Sequence, residues 1–307
     1  MTEPPEPPPL RRLARPAPTG VSFARVLLHR PGRLDAATTV TPHGVQLNAW
    51  RPSPASLQAY RDVVGSRARL PLTFPALVTV ALFRDLIGQG GLPVSGLGLV
   101  HVASEIATVN RLPADAPWRV TAWVQSARHT SSGLELDLWS RCEAGDASWT
   151  VRMVTLSRSS AAAGPAASAA PALPEPDADW GVETTLVAGE GIGRAYARVS
   201  GDLNPIHLHA WAARPFGFAR AIAHGWWTLP RALALLGVDE TPEQGRRHLE
   251  VSYRRPVILP SRVRLLGAMR GSATTFLALR DQKPLFGGRL RAPLGSMGSA
   301  GAAGSSV

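Results

Sequence analysis

The residues best suited to chemistry stand close together in the second half of the chain, in segment 201–224. Asp202 and His207 are separated there by a stretch that contains Asn204 and Pro205. Proline fixes its own φ and disfavours the helical region for the residue before it, so we expect a tight bend with Asn204 as a turn former. Such a bend can direct a carboxylate and an imidazole at one water molecule. This pair can remove and return protons near neutral pH.

Each of these residues also has a structural interpretation. Asp202 alone would fit a helix cap or a turn, and His207 alone would fit a structural histidine. The two together in one bend favour catalysis. The histidines His207, His209 and His224 also raise the question of a metal site, but no Glu or Cys accompanies them at ligand spacing. We therefore predict no metal and no cofactor.

His224 and Gly225 precede an apolar helix candidate. The first amides of a helix have no internal partners and carry the positive end of its dipole, so the Gly225 amide can stabilise an oxygen that gains negative charge. An ordinary junction between loop and helix is the alternative. Pro230 would remove one backbone bond from this helix, so the sequence predicts that the regular helix begins nearer Trp227 or Thr228, or that it kinks.

The elements that must position these residues occur twice. Segments 59–65 (AYRDVVG) and 195–201 (AYARVSG) are similar, and each is followed by an apolar helix candidate, at 75–88 and 225–237. Strand-like runs with alternating apolar residues follow both helices. They lie at 99–106, 118–127, 133–142, 148–157, 247–255, 261–270, 274–280 and 285–291. The pattern predicts an α+β fold of two curved antiparallel sheets, each wrapped around its own helix.

Small residues and proline dominate three segments, which we expect to be poorly ordered because they offer little apolar surface to offset ordering entropy. They are an N-terminal tail (1–20), a linker (159–179) and a C-terminal tail (293–307). The folded bodies are then an N-terminal domain at 21–158 and a C-terminal domain at 180–292, which carries the candidate site. Pairing the two copies edge to edge would cover exposed sheet edges. Two independent domains on a flexible tether are the alternative.

Composition limits the function classes. The 307 residues carry a formal net charge of +11, with 17 basic and 14 acidic side chains in residues 1–179 and 16 and 8 in residues 180–307. The basic second half would suit a phosphorylated ligand, but no zinc-finger or RNA-recognition pattern accompanies the charge, so we predict no nucleic-acid partner. The lone Cys142 is interpreted as a strand residue. With no membrane span or signal peptide apparent, we expect a cytoplasmic protein.

The motifs GDLNPIH at 201–207, GF at 217–218 and IAHG at 222–225 closely resemble the signature of MaoC-like dehydratases, the (R)-specific enoyl-CoA hydratase or hydratase 2 family. The resemblance covers roughly residues 180–291. The first body is similar, more loosely, to the degenerate half of double hot-dog members, in which a curved sheet wraps around a helix. This family fold agrees with the α+β architecture predicted above.

The resemblance implies reversible hydration of a trans-2-enoyl thioester to a (3R)-3-hydroxyacyl thioester. Asp202 and His207 would then activate the water and move the proton, and the Gly225 amide would polarise the thioester oxygen. Asn204 would brace the loop. The acyl group would be carried by coenzyme A or an acyl carrier protein, and a homodimer of the chain is possible.

Substrate binding is expected to involve His224 and Trp226 beside the reacting atoms, with Arg254 and Arg255 near the phosphates of the carrier. The first copy follows Gly65 with a short connection that lacks acid and histidine, which suggests a wider acyl tunnel and a bulky or long acyl group. The sequence departs from the family pattern at His209, Ala219, Ala221, Trp226 and Pro230. These departures concern the shape of the acyl pocket.

Two other functions fit the same fold. Hot-dog proteins also include thioesterases, and fold alone does not fix chemistry. A non-catalytic acyl-binding subunit would bind the thioester without turning it over. The presence of both Asp202 and His207 favours the hydratase over the binding subunit.

Overall fold

A computed structural model of the chain describes residues 4–30, 34–90, 92–176 and 179–292. Its strands form one mixed sheet in the order β1-β2-β4-β5-β6-β3-β8-β11-β10-β9-β7, in which every neighbouring pair except β1 and β2 is antiparallel. The strands are β1 (Leu10–Leu13), β2 (His43–Trp50), β3 (Val100–Val109), β4 (Trp118–Thr130), β5 (Gly133–Ala144), β6 (Ala147–Arg158), β7 (Val182–Ala188), β8 (Arg246–Tyr253), β9 (Ser261–Arg270), β10 (Ala273–Arg280) and β11 (Lys283–Arg291).

Two apolar helices pack against this sheet, one in each half of the chain. Most residues along them are buried, and the buried apolar ones belong to one hydrophobic core that runs through both halves. The shorter helices surround them. The helices are α1 (Thr19–Leu28), α2 (Pro54–Val64), α3 (Ala76–Gly88), α4 (Ile192–Ser200), α5 (Ala210–Ala213) and α6 (Gly225–Leu235), of which α3 and α6 are the two central ones.

The two halves join where β3 pairs with β8. Seven residues of each strand pair in antiparallel register, from Ala103 opposite Ser252 to Val109 opposite Arg246. This pairing confirms the edge-to-edge prediction. It excludes two independent domains on a tether, because both halves share one sheet. The fold is the double hot-dog architecture that the sequence predicts.

The internal repeat is visible in the structure as well as in the sequence. Both α2 and α4 end at a glycine with φ of 69°, Gly65 and Gly201. That conformation favours glycine because a side chain is strained there. The equivalent tyrosines, Tyr60 and Tyr196, are both buried, with ring centroids 6.4 Å apart. The matched segments therefore meet in the core.

Besides β1, which lies in the predicted N-terminal tail, each half contains a strand outside the eight predicted runs, β2 in the first and β7 in the second. Both lie away from the β3–β8 junction, and β7 is the last strand of the sheet.

Helix α6 begins at Gly225 and contains Pro230 at its centre. The expectation of a start nearer Trp227 is therefore wrong. The missing Pro230 amide costs only one bond in a helix held by burial.

The described part of the linker, residues 159–176 and 179, is held against the sheet, contrary to the expectation of a loose tether. Glu135, buried in β5, accepts a hydrogen bond from the Ser168 hydroxyl at 2.6 Å and from the amide that follows it at 3.0 Å. The Ser252 hydroxyl donates to the Pro171 carbonyl at 2.5 Å. Buried polar groups need partners. The sheet therefore orders a segment that has little apolar surface of its own.

The N-terminal segment is likewise ordered in part. Strand Leu10–Leu13 pairs in parallel with β2, and the Ala17 amide donates to the Asp85 carboxylate at 3.0 Å. Backbone pairing along a free sheet edge depends little on composition, so the proline-rich sequence gave no sign of this strand.

The predicted C-terminal tail (293–307) lies outside the described residues. Cys142 is buried in β5. None of the described helices has the length and apolar character that crossing a membrane requires.

Candidate active site

The motif at the end of α4 forms the predicted bend. Gly201 ends the helix, and the Asp202 carboxylate accepts a hydrogen bond from the Asn204 amide at 3.1 Å. Pro205 then opens a single 3-10 turn, Pro205–His207. An aspartate that caps its own turn in this way fixes the path of the backbone. The bend thus holds Asp202 and His207 on the same side of the loop.

The tautomer of His207 follows from its partner. Its Nδ1 lies 2.9 Å from the Ile222 carbonyl oxygen. Since a carbonyl only accepts, Nδ1 carries the hydrogen and donates it, and Nε2 keeps its lone pair. Burial lowers the pKa of His207, although Asp202 opposes that shift. At neutral pH the ring is therefore uncharged and able to accept a proton.

His224 completes the cluster from the start of α6. Its Nε2 donates to the Asp202 carbonyl at 3.2 Å and lies 3.8 Å from the Asp202 carboxylate. Its ring stacks on His207 with centroids 3.7 Å apart. Burial lowers the pKa of His224 to about 3, so this ring is neutral as well. His224 therefore contacts both predicted catalytic residues, Asp202 through a hydrogen bond and His207 through ring stacking, and helps to hold them in place.

Asp202 is ionised at neutral pH. Burial alone would raise the pKa of its carboxyl, but the imidazoles of His224 and His207, the Asn204 amide and the Arg84 guanidinium together hold that pKa below its ordinary value. The site therefore combines a carboxylate with two neutral imidazoles. A carboxylate and a free imidazole lone pair can together accept hydrogen bonds from one water.

The same three side chains are close enough to ligate a metal. One carboxylate oxygen of Asp202 and one nitrogen each of His207 and His224 lie within 4.8 Å of one another. Deprotonated carboxylate and neutral imidazole are also the forms that bind a metal. His209 does not belong to this group. The prediction of no metal rested on sequence spacing, and the geometry would accommodate either a metal or a water.

Gly225, the first residue of α6, lines the same cavity as the acid and the histidines. Its carbonyl accepts a hydrogen bond from the Tyr253 hydroxyl at 3.0 Å, which ties the first turn of α6 to β8. A Cβ at this position would lie 2.6 Å from Nδ1 of His101, so only glycine fits without displacing a neighbour. The free amide at a fixed helix start matches the predicted oxyanion donor in position.

Asn204 and Trp226 connect the site to the first half. The Asn204 amide oxygen accepts from the Gly98 amide at 3.2 Å, and its nitrogen donates to the Leu99 carbonyl at 3.3 Å. The end of the glycine-rich stretch, just before β3, therefore forms a wall of the site. Trp226 lines the cavity, and its indole nitrogen donates to the Met153 sulfur at 3.2 Å.

Arg254 and Arg255 stand just after β8 and are exposed, and both line the cavity. Their guanidinium groups donate to backbone carbonyls, at Pro171 for Arg254 and at Pro284 for Arg255, with distances of 3.1 and 2.9 Å. No carboxylate in the described part of the chain lies within ion-pair distance of either group. Both positive charges are therefore left uncompensated beside the cavity.

Arg84 is a site residue that the sequence did not reveal. It lies on α3, in the half that lacks the motif, and its side chain is buried. Its guanidinium donates to the Gly201 carbonyl at 2.6 Å and to the Ser22 hydroxyl at 2.5 Å. Burial lowers the pKa of Arg84, while the Asp202 carboxylate opposes that shift. The first half thus holds the start of the bend that carries Asp202 and His207.

His101 is a second such residue, on β3. Its ring packs against Tyr253 and Trp226, with centroids 4.6 and 5.2 Å away. Its Nε2 lies 2.7 Å from the Ser104 hydroxyl, and burial lowers its pKa to about 4. Within the described chain its Nδ1 has no hydrogen-bond partner. No local motif marks His101, because it reaches the site only through the β3–β8 pairing.

The cavity extends from these groups into the first half. It has a volume of about 330 Å³, within the range of pockets that hold small ligands. Its walls beyond the polar end are mostly apolar, and many belong to α1, α3, β5 and β6. These include Phe23, Val26, Val80, Phe83, Ile87, Leu138, Met153 and Leu156. The half without the motif therefore supplies a large part of the apolar lining.

Comparisons with known proteins agree with this geometry. Residues 176–278 match the model of the MaoC-like domain family. A relative, 3-hydroxyacyl-thioester dehydratase X of Mycobacterium tuberculosis, is 29% identical over 235 residues, which are 74% of this chain and 80% of the relative.

Solved structures extend the likeness across both halves. The crystal structure of HtdX from Mycobacterium tuberculosis has a TM-score of 0.67 and 25% identity, covering 81% of this chain and 100% of that one. A MaoC-like dehydratase from Phytophthora capsici shares the fold, with a TM-score of 0.62, 15% identity and coverage of 83% and 95%. The chain therefore has the double hot-dog fold of these proteins, and its residues 176–278 belong to the family of MaoC-like domains.

Proposed function

We propose that this protein is a hydro-lyase that adds water reversibly to trans-2-enoyl thioesters to give (3R)-3-hydroxyacyl thioesters. The observation that carries the proposal is the convergence of Asp202, His207 and the Gly225 amide at the polar end of one apolar cavity. The relative of 29% identity is named a 3-hydroxyacyl-thioester dehydratase, which supports the same reaction class.

In the hydration direction, a water bound between Asp202 and His207 gives its hydroxyl to the β-carbon of the enoyl group. The proton released by the water is returned by the same pair to the α-carbon. Ionised Asp202 and the free Nε2 of His207 are both in the accepting form at neutral pH. Dehydration follows the same steps in reverse, with the pair removing the α-proton and protonating the departing hydroxyl.

The Gly225 amide polarises the thioester carbonyl. Negative charge gathers on that oxygen as the enolate develops, and an amide already fixed at a helix start stabilises it without reorganising. The Tyr253 hydroxyl, bound to the Gly225 carbonyl, holds the first turn of α6 in place. Asn204 and Arg84 position the catalytic bend against the first half.

The acyl chain occupies the apolar part of the cavity, between α3 and the strands of the first half. Because that lining reaches well beyond the three catalytic groups, we propose a bulky or long acyl group. The carrier is coenzyme A or an acyl carrier protein, with the charges of Arg254 and Arg255 facing its phosphates. We also predict that the protein can form a homodimer and that it is located in the cytoplasm.

The proposal is tested by incubating the protein with crotonyl-CoA and with longer enoyl-CoA substrates. Loss of the conjugated enoyl absorbance with formation of the (3R) alcohol, identified with a stereospecific dehydrogenase, is the expected result. Release of free thiol without loss of the double bond would instead indicate a thioesterase. Tight binding of acyl-CoA with neither change would indicate a binding subunit.

The rate of hydration should fall as the pH is lowered through the acidic range. We expect kcat/KM to be constant from neutral pH to below 6.5 and then to fall, because protonation of His207 or Asp202 removes the accepting pair and both pKa values are lowered. The measurement is a pH profile of hydration. A fall centred at or above 6.5 would contradict the lowered pKa of His207.

Circular dichroism at each pH is the control for that profile. The pKa of His224 is lowered in the folded state, so the unfolded chain binds the extra proton more tightly. Stability is therefore lost as the pH falls below the unfolded value of about 6.5 toward the folded value of about 3. Rates are interpreted only where the spectrum is unchanged.

Replacing Arg84 by Met should lower kcat about tenfold, the cost of one charged hydrogen bond to the Gly201 carbonyl. It should also move the acidic fall in rate to higher pH, because Arg84 helps to lower the pKa of Asp202. Arg84→Lys should restore the pH profile in part. Arg231→Met is the matched control, since Arg231 also donates to a backbone carbonyl, that of Val64. A purely structural role for Arg84 would leave the pH profile unmoved.

A further inference from the structure

Helix α1 has two apolar faces of different kinds. Its inner face packs on α3, where Ser22 and Val26 are buried and the Arg84 guanidinium donates to the Ser22 hydroxyl. Phe23 and Val26 line the cavity. The inner face is therefore explained by the fold. The outer face requires a different explanation.

Val21, Leu27 and Leu28 on the outer face are 45%, 52% and 76% exposed. They are three of the seven large hydrophobic residues exposed in the described parts of the chain, and all three lie on one helix of ten residues. A surface helix of a globular protein normally turns polar residues outward. Clustered exposed aliphatic side chains mark an interaction surface.

Positive charge surrounds this surface. Residues 7–34 contain six arginines and no Asp or Glu. Five of these arginines are described and exposed, and no carboxylate that the structure describes lies within 4 Å of them. They are Arg11, Arg12, Arg15, Arg25 and Arg30. The exposed apolar residues thus occur in a segment rich in exposed cations, of which only Arg11 and Arg25 act on a described carboxylate, that of Asp85.

We propose that α1 docks the protein on the surface of a bilayer that contains anionic phospholipid. Val21, Leu27 and Leu28 enter the acyl boundary, and the arginines contact headgroup phosphates. A second copy of the chain fits this surface poorly, because a symmetric contact would bring two sets of arginines together. Aliphatic side chains without polar groups suit lipid better than they suit a polar protein surface.

The position of α1 gives the docking a consequence for the proposed function. The helix lies between the apolar cavity and the surface that would face lipid, since Val26 is on one side and Leu28 on the other, with Phe23 and Leu27 one turn apart on the flank between them. A long acyl group would then have a short path between the bilayer and the cavity. This consequence rests on the proposed function, whereas the docking itself does not.

Co-sedimentation with sucrose-loaded vesicles tests the proposal. The full chain should bind vesicles of phosphatidylcholine mixed with phosphatidylglycerol, more weakly at high salt, and should bind phosphatidylcholine alone much less. The double variant L27E/L28E should lose more than about tenfold in partition, because two aliphatic side chains no longer enter the lipid. Arg25→Gln should lose roughly fivefold.

Met269→Glu is the matched control, because Met269 is 60% exposed on β9, far along the sheet. It should bind vesicles like the unmodified protein. An unchanged circular dichroism spectrum of L27E/L28E shows that the variant folds. This control and the vesicle assay do not depend on whether the protein is a hydratase. Failure of the unmodified protein to bind anionic vesicles at low salt overturns the proposal. An equal loss of vesicle binding in Met269→Glu would also overturn the proposal. The same holds if sedimentation velocity shows a dimer of the unmodified protein that the L27E/L28E substitutions dissociate.

Discussion

Replacing Asp202 by Asn is expected to lower kcat/KM for hydration of an enoyl thioester by about 100- to 10,000-fold, with little change in the fold. Asparagine keeps the shape of the side chain and can still accept the Asn204 amide that shapes the bend. It cannot take a proton from water. The change therefore removes the base and leaves the loop in place, and steady-state kinetics on crotonyl-CoA measure the loss.

Asp62→Asn is the control for this variant, because Asp62 lies on the surface helix α2 and accepts only from Gln58. It should retain full activity. Thermal unfolding should show that Asp202→Asn is somewhat less stable than the unmodified protein at neutral pH, because the lowered pKa of Asp202 means that the fold stabilises its ionised form. Full hydratase activity in Asp202→Asn would remove Asp202 from the mechanism and leave only the fold assigned.

The proximity of Asp202 and His207 could be predicted from sequence because these residues are neighbours along the chain. Asp202 and His207 belong to one bend, and the bend is determined by a glycine helix end and Pro205. Gly225 follows from its place at the start of an apolar helix. Local chemistry of this kind leaves a local signature. The structure places these groups around one cavity, as the sequence predicted.

The contributions of the first half could not be predicted in the same way. Arg84 and His101 are more than a hundred residues from Gly201 and Gly225 in the chain, and each reaches the site only through the packing of α3 and the pairing of β3 with β8. A buried arginine in an apolar helix candidate and a histidine in a strand have many structural explanations. Only the shared sheet shows what they touch.

The conformation of the linker also could not be predicted from its own residues. Its composition predicts disorder, because alanine, serine and proline offer little apolar surface. Glu135 and Ser252 on the sheet nevertheless provide polar partners for its backbone and side chains. Whether a polar segment is ordered thus depends on unpaired groups elsewhere in the fold. Those groups are not visible within the segment itself.

Gly225→Ala should lower kcat/KM by roughly 100- to 1,000-fold, the cost of losing one oxyanion donor. The added Cβ would lie 2.6 Å from Nδ1 of His101 and 3.3 Å from Cζ of Tyr253, so the first turn of α6 must move. That movement withdraws the amide from the thioester oxygen. Because Asp202 and His207 are untouched, the loss should appear mainly in kcat, which steady-state kinetics separate from KM.

Two further variants establish the cause of that loss. Gly189→Ala is the control, because a Cβ there would meet nothing within 4 Å and activity should be unchanged. The double variant H101A/G225A removes the imidazole that the new methyl group would strike. If displacement of the amide by His101 causes the defect, this variant should recover part of kcat relative to Gly225→Ala. If Gly225→Ala alone keeps full activity, the amide at the start of α6 does not stabilise the reacting thioester.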